Sequence, residues 1–220
     1  MSIKGLLKTH YSVRAFRSEK VEQSLIQAVF SSAQYAPSNC NTQPWQTYVA
    51  SGETKEKLKA ALVELIMSGA QPNPEFNWHV AYQGAHRERQ FGSANALYGS
   101  MGIAREDKQA RQMAMLRNWQ FFDAPHVVFF AMEKYLDIMG SVDVGIYAQT
   151  VALLMAENNI NYCFQGALGM YPDPVKSILG IPDDVGILFG MSFGYADEKA
   201  DANKTRTTRE PLDNSVEFFE

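Results

Sequence analysis

From Val21 onward apolar side chains return every third or fourth residue, at Val21, Leu25, Ile26, Val29 and Phe30. This spacing predicts a helix over about 22–35 with one core-facing stripe. It must stop before Pro37, because proline restricts the residue ahead of it and supplies no amide. A short strand is expected around 46–50. A second helix follows Gly52, with Leu58, Leu62, Leu65 and Ile66 on one face, and fades near Gly69. The run HVVFFAM (126–132) is β-branched and aromatic, too short for a helix and apolar on both faces, as expected of a central strand in a sheet covered on both sides. Residues 142–157 are apolar nearly all round, which predicts a helix buried against both a sheet and another helix, with a subunit interface as one way to bury it. A strand is expected at 160–164 and a last core strand at 185–195. Between them Asp173 is read as an N-cap, Pro174 as a first-turn proline and Gly180 as the terminator of a short helix.

Residues 70–118 differ in character. Pro72 and Pro74 break the chain, glycines are scattered, and Arg87, Arg89, Arg105 and Arg111 interleave with aromatics. This stretch reads as an elaboration over the core, helical in part through REDKQARQMAM. The chain then finishes in a polar tail, about 199–220, that carries Val216, Phe218 and Phe219 near its end.

Length and composition narrow the class. At 220 residues the chain is sized for a single domain, and 46% apolar with 20% charged residues is ordinary for a folded soluble protein. A net charge of −4 argues against a nucleic-acid partner, which usually needs a basic stripe. Cys40 and Cys163 lie in unrelated contexts, so neither a disulfide framework nor a metal site is expected. No secretory signal and no run of about 18 continuous apolar residues is present, so a cytoplasmic protein without a membrane span is expected.

Four pieces carry candidate chemistry. In HYSVRAF, an extended backbone would put His10, Ser12 and Arg14 on one face, able to converge on an anion; alone, the piece reads equally as a solvated basic loop. PSNCNTQPW sets short polar side chains between prolines, either as a rigid hydrogen-bonding rim or as a capped turn closing the first helix. Phe164-Gln165-Gly166-Ala167 ends a strand, where a glycine would let backbone approach a ring, or is an ordinary strand-to-helix turn. Arg206 and Arg209 in the tail could clamp a phosphate or stand as solvated charge.

In order, HYSVRAF, APSNCNTQPW, a GIP-containing turn, a GxxxGY strand end and RTTREPL resemble the FMN-dependent nitroreductase family over nearly the whole chain. GIAREDKQARQ and NWQFFDAP resemble its nitrobenzoate-reductase-like group. The resemblance implies an α+β, three-layer α/β/α fold with a central mixed, mainly antiparallel sheet. It also implies a homodimer with a swapped C-terminal tail and an insertion at about 70–118 over the active site. By the same resemblance His10, Ser12, Arg14 and Arg209 would hold the phosphate and pyrimidine edge of FMN, with Arg206 near a second basic position. Tyr11 and Pro37 join that cofactor-binding set. Ser38 and Asn41 would reach in from the partner, Gln165 and Gly166 would lie beside the flavin N5, and Arg117 or Asn118 are candidates for mid-chain contacts. Family members commonly carry arginine where this chain has His10, a weaker and pH-dependent cation.

The implied reaction is ping-pong reduction of nitroaromatic or quinone acceptors by NADH or NADPH, with no essential side-chain acid. Tyr82, Phe91, Tyr98, Trp119 and Phe121 are candidates for the acceptor pocket or for plain packing. The alternatives are reductive dehalogenation, flavin cleavage, or a non-catalytic FMN-binding protein.

Overall fold

The computed structural model describes residues 2–77 and 80–220. Four strands, β1 (Gln46–Ser51), β2 (His126–Glu133), β3 (Asn161–Gln165) and β4 (Val185–Gly194), form one sheet in the order β1-β2-β4-β3. All three pairings are antiparallel, so the parallel pairing that a mixed sheet requires does not occur among the described residues. β2 is buried at seven of its eight positions, as its two-sided apolar run demands.

Each face of the sheet carries helices. Helices α2 (Gln23–Ala33) and α6 (Asp137–Glu157) bury Ile26, Val29, Tyr147, Val151 and Met155 against Val128, Phe130 and Met191 on one face. On the other, α3 (Gly52–Met67) and α7 (Pro172–Leu179) bury Leu58, Leu62 and Val175 against Val127, Phe129 and Ile187. The three-layer α+β arrangement follows from one apolar stripe per helix meeting a sheet that is apolar on both faces.

Several local expectations are corrected. α1 (Ile3–Thr9) is a helix that the apolar pattern does not reveal, because it buries no residue and starts from a Ser2 cap on the Gly5 amide. α6 begins five residues before 142, and only part of it is buried: Ile138, Met139, Val142 and Ile146 form an exposed apolar row. By length and hydropathy the stretch 134–157 could cross a membrane, yet Asp143 and the residues that fill the core lie within it. Asp173 is not the N-cap of α7. Tyr171 takes that place: Pro172, with its preset φ, starts the helix two residues earlier than an Asp173 cap would, and Asp173 instead accepts a hydrogen bond from Asn73 Nδ2 at 2.8 Å. Gly180 ends α7 at φ 66°, the left-handed turn expected of it. The 70–118 stretch holds two helices, α4 (Gly84–Ser100) and α5 (Lys108–Leu116).

Two buried polar arrangements pin the frame. A register shift at Phe130/Ala131 leaves Leu188 as the extra residue of a bulge in β4, and Glu75 Oε2 accepts the adjacent Ile187 N–H at 2.8 Å. Glu75 Oε1 also meets Lys176 Nζ at 2.7 Å and Lys134 Nζ at 2.8 Å. Burial acts to raise the Glu75 pKa, but the bonds from both lysines and the amide outweigh it and hold the carboxyl below its ordinary value.

His126 is the second. Its Nε2 accepts the Val21 N–H at 3.0 Å, so Nδ1 carries the hydrogen that reaches Ser51 Oγ. Burial, with Lys20 and Lys55 nearby, lowers the imidazole pKa from 6.5 to about 4. A folded-state pKa below the unfolded one means the proton favours the unfolded chain. Stability is therefore lost as pH falls from about 6.5 towards 4, by roughly 2–3 kcal/mol from this group. Thermal unfolding of the wild type and of His126→Asn across pH 7 to 4 checks this; parallel decline in both would contradict it.

Candidate functional site

The HYSVRAF segment runs extended along the free edge of β3. Val13 turns inward and donates its N–H to the Tyr162 carbonyl at 3.2 Å, while the residues on either side of it turn outward. Asn203, buried in the turn Asp201–Lys204, clips this segment to the tail. Its Oδ1 accepts the Arg14 N–H at 2.7 Å, and its Nδ2 donates to the Ala15 and Asp197 carbonyls, both at 2.8 Å. Two stretches almost 190 residues apart in sequence are thereby held side by side.

Between them lies a cavity of about 400 Å³ bordered by His10, Tyr11, Ser12, Arg14, Arg206 and Arg209, with Ser93 of α4 and Thr205 and Thr207 of the tail. Six of the residues singled out from the sequence thus surround one space. The Arg206 guanidinium stacks 3.8 Å from the Tyr11 ring centroid and donates to the Asn203 and Thr205 carbonyls. Arg209 donates to the Thr207 and Thr208 carbonyls and the Thr207 hydroxyl. Arg14 donates to the Ser12 carbonyl at 3.3 Å. These bonds aim three guanidinium groups without neutralising them, since none is made to a carboxylate.

His10, in the wall of this cavity, rests on β3. His10 stacks on Tyr162, ring centroids 4.8 Å apart and 15° between planes. Burial, then the Arg209 charge, lowers the His10 pKa below 6.5. Burial pushes the Cys163 thiol up to about 11, against the opposing pull of Arg14 and a Ser12 hydrogen bond, so this cysteine is an inert packing residue.

At the end of β3 the Gln165 side chain is buried and committed. Ser192 Oγ donates to its Oε1, and its Nε2 donates to the Asn118 carbonyl at 2.8 Å. It therefore positions the end of the 70–118 stretch through Asn118. Arg117 is engaged by Asp123 at 2.8 Å and Gln120 at 3.3 Å. A Cβ built on Gly166 meets nothing within 4 Å, so the strand end is open to a flat group. Gly166→Val is expected to fold normally and to weaken the binding of any flat ligand at this strand end roughly ten- to hundredfold through steric overlap, read as its dissociation constant by fluorescence titration.

Pro37, Ser38 and Asn41 do not border this cavity. Their loop contains left-handed residues Cys40, Asn41 and Gln43, with φ of 49°, 56° and 48°. It is held by Ser38 Oγ accepting the Gln43 N–H at 2.9 Å and by Asp143 of α6 accepting the Asn39 N–H. Backbone held in a sparsely populated region by its surroundings is a device of binding sites. Of the aromatic candidates, Trp119 and Phe121 belong to the core, whereas Tyr82 and Tyr98 border a second cavity of about 460 Å³ with His86 and Arg89. Phe91 is exposed under the Arg87 guanidinium.

Sequence reasoning passed over Asn203, Thr205, Thr207, Ser93 and Ser192, and named Asn118 only as a candidate contact. Thr207, Asn118 and Ser192 lie within the motifs quoted above, but no local pattern says what their side chains meet, and only the fold brings them together. Among the described residues no group of three or more His, Cys, Asp or Glu is placed to hold a metal ion.

Helical layers on both faces of a short antiparallel sheet, with Arg14, Arg206 and Arg209 bordering one cavity, define an α+β protein with a cationic pocket. The model of the nitroreductase family matches residues 7–195. Nitroreductase NfnB of Mycolicibacterium smegmatis is 36% identical over 97% of this chain and 91% of its own length. The 4-nitrobenzoate reductase of Pseudomonas putida is 31% identical over 98% and 94%. The crystal structure of the FMN and NADPH-dependent nitroreductase NfnB from Sphigopyxis sp. strain HMH superimposes with a TM-score of 0.96, at 33% identity and full coverage of both chains. That of the FMN-dependent NfnB from Mycobacterium smegmatis in complex with NADPH gives 0.94, at 35% identity over 99% and 97%. The chain belongs to the nitroreductase family.

Proposed function

We infer that this protein is an FMN-dependent oxidoreductase that uses NADH or NADPH to reduce nitroaromatic or quinone-type acceptors in a ping-pong cycle. The observation that carries the cofactor half of this reading is the convergence of His10, Ser12, Arg14, Arg206 and Arg209 on one cavity, with the open strand end at Gly166 as the place for the ring. The donor set fits the group: guanidinium forks and a hydroxyl match a phosphate monoester. A glycine-ended strand fits a flat ring. FMN, when bound, supplies the hydride-accepting and hydride-donating chemistry. The chain's residues then have three tasks. Arg14, Arg206, Arg209 and Ser12 bind the phosphate; the Gln165, Ser192 and Asn118 brace orients the wall beside the ring; and the 70–118 insertion, part of the same single domain, covers the site and keeps water from it.

The working unit in this reading is a homodimer. The exposed row Ile138, Met139, Val142 and Ile146 on α6 supplies an apolar face of the kind a second copy buries. Val216, Phe218 and Phe219 in the tail are likewise exposed and would anchor a swapped arm on the partner. Pro37, Ser38 and Asn41 would then serve the partner's cofactor. The cytoplasm, which holds reduced nicotinamide nucleotides, is the expected location.

The test is anaerobic. With the purified holoprotein under argon, NADH or NADPH is expected to bleach the flavin absorbance, and nitrobenzoate or a quinone to restore it. Bound flavin that neither nucleotide bleaches would replace this reading with a non-catalytic FMN-binding protein.

A further inference from the structure

We propose that His10 is a proton-coupled ligand of the cofactor phosphate: it enters the complex as imidazolium, so that binding FMN takes up a proton at this side chain and the cofactor loosens as the solution turns alkaline. The proposal rests on the FMN reading above and adds a regulation of that same site.

The geometry places His10 in the wall of the phosphate cavity, held flat against Tyr162. The charged and titratable groups that face it there are Lys8 and Tyr11 from its own segment, Arg14 beyond Ser12, and Arg206 and Arg209 from the tail; α4 contributes the uncharged Ser93. Its other side borders a third cavity, of about 490 Å³, where Arg17, Tyr195 and Glu198 stand opposite and the uncharged Ala156 of α6 and Asn159 just beyond it complete the wall. Arg17 is paired with Glu19 at 3.1 Å and lies over the Tyr195 ring.

Cations therefore dominate the surroundings of His10, and they oppose a further positive charge. The half-buried ring and the nearby Arg209 keep the imidazole neutral at a pH where a free one would be partly charged. A phosphate dianion in the cavity reverses that balance. It neutralises the arginines and offers the imidazole an acceptor, favouring the protonated form. Arginine stays protonated throughout the working range, so its contacts to phosphate do not titrate. Imidazole is the phosphate-facing group in this cavity whose charge changes near neutrality.

Above the second ionisation of the phosphate monoester, near pH 6, the ligand's charge is constant. There the FMN dissociation constant is expected to rise with pH by up to roughly tenfold per unit between about 6.5 and 8. Below that range protonation of the phosphate works in the opposite direction.

The experiment is dilution of the full-length holoprotein into buffers from pH 6.5 to 8.5, with released flavin read by its fluorescence, and the same titration with riboflavin, which lacks the phosphate. The wild type is expected to show the rising FMN dissociation constant and a flat one for riboflavin. His10→Gln is expected to give weaker, pH-independent FMN binding, and His10→Arg a dissociation constant that stays near the wild-type value at pH 6.5 across the range. Calorimetric titration of flavin-stripped chain with FMN in two buffers of different ionisation enthalpy is expected to show net proton uptake that His10→Arg abolishes. A flat wild-type profile, an equal slope with riboflavin, or a slope that survives in His10→Arg would overturn the proposal and leave the FMN reading intact. A chain that binds neither FMN nor riboflavin would overturn both.

Discussion

Replacing Arg14 by methionine is expected to raise the FMN dissociation constant by about ten- to hundredfold while the fold stays intact. A hydrogen bond from a charged donor contributes roughly 1.5–3 kcal/mol, and each 1.4 kcal/mol is about tenfold in affinity. Three features make Arg14 the most sensitive of the cations. Its backbone is clipped by Asn203, its guanidinium is steadied by the Ser12 carbonyl, and it lies against a rigid strand rather than in the tail. Arg206 and Arg209, by contrast, lie in the exposed tail, held by its carbonyls, by the Thr207 hydroxyl and by the Tyr11 ring under Arg206. The methionine variant keeps the aliphatic reach of the side chain, so the loss reports charge and not packing. Riboflavin affinity serves as the internal control and should change little. Arg14→Lys should recover only part of the loss, because a point charge replaces a fork. Unchanged FMN binding in Arg14→Met would remove this residue from the phosphate site.

The second large effect concerns stability. Glu75→Ala is expected to cost about 2–4 kcal/mol in chemical denaturation, since it removes the carboxylate from a largely buried lysine and leaves its ammonium only the Val185 and Asp183 carbonyls. Lys176 and Glu75 are 11% and 10% exposed, so most of this cost arises there; Lys134, at 41%, is screened and contributes little. The Ile187 amide beside the bulge also loses its acceptor. The neighbouring Phe76 would remain wedged over Gly186, where a Cβ would come within 2.7 Å of its ring. A loss below about 1 kcal/mol would show that solvent reaches the ammonium and replaces the carboxylate.

How much of this was legible in the sequence depends on what each signal measures. Periodicity reports burial, so α3 and β2, whose side chains meet a core, were readable almost to their ends. α1 buries nothing and gave no usable pattern. For α6 the apolar run correctly implied a helix, but composition does not distinguish the face that meets the core from the row at Ile138 and Val142 that is exposed in the single chain. The alternation at positions 10, 12 and 14 needed only an extended backbone, and the β3 edge supplies one. That Arg206 and Arg209 close the same cavity is a tertiary fact carried by Asn203, an asparagine in an unremarkable polar run. Gln165 was placed at the right strand end, but its side chain turned out to face Ser192 and Asn118, a commitment that requires knowing which strand lies beside β3.

The 70–118 insertion is fastened at both of its roots. On the entry side Glu75 and Phe76 lock onto β4 at the bulge; on the exit side the Trp119 indole N–H donates to the Ala167 carbonyl at 3.1 Å and Asn118 meets Gln165. Neither anchor involves α4 or α5. Between the roots the stretch is tied in as well: Leu116 of α5 joins the core beneath the sheet, the Ser100 and Thr205 hydroxyls hydrogen-bond, Arg89 pairs with Glu210, and Ser93 borders the cavity of the arginines. A changed sequence in α4 therefore reaches the tail that holds Arg206 and Arg209, so on the reading proposed above the acceptor side and the phosphate side of the site vary together.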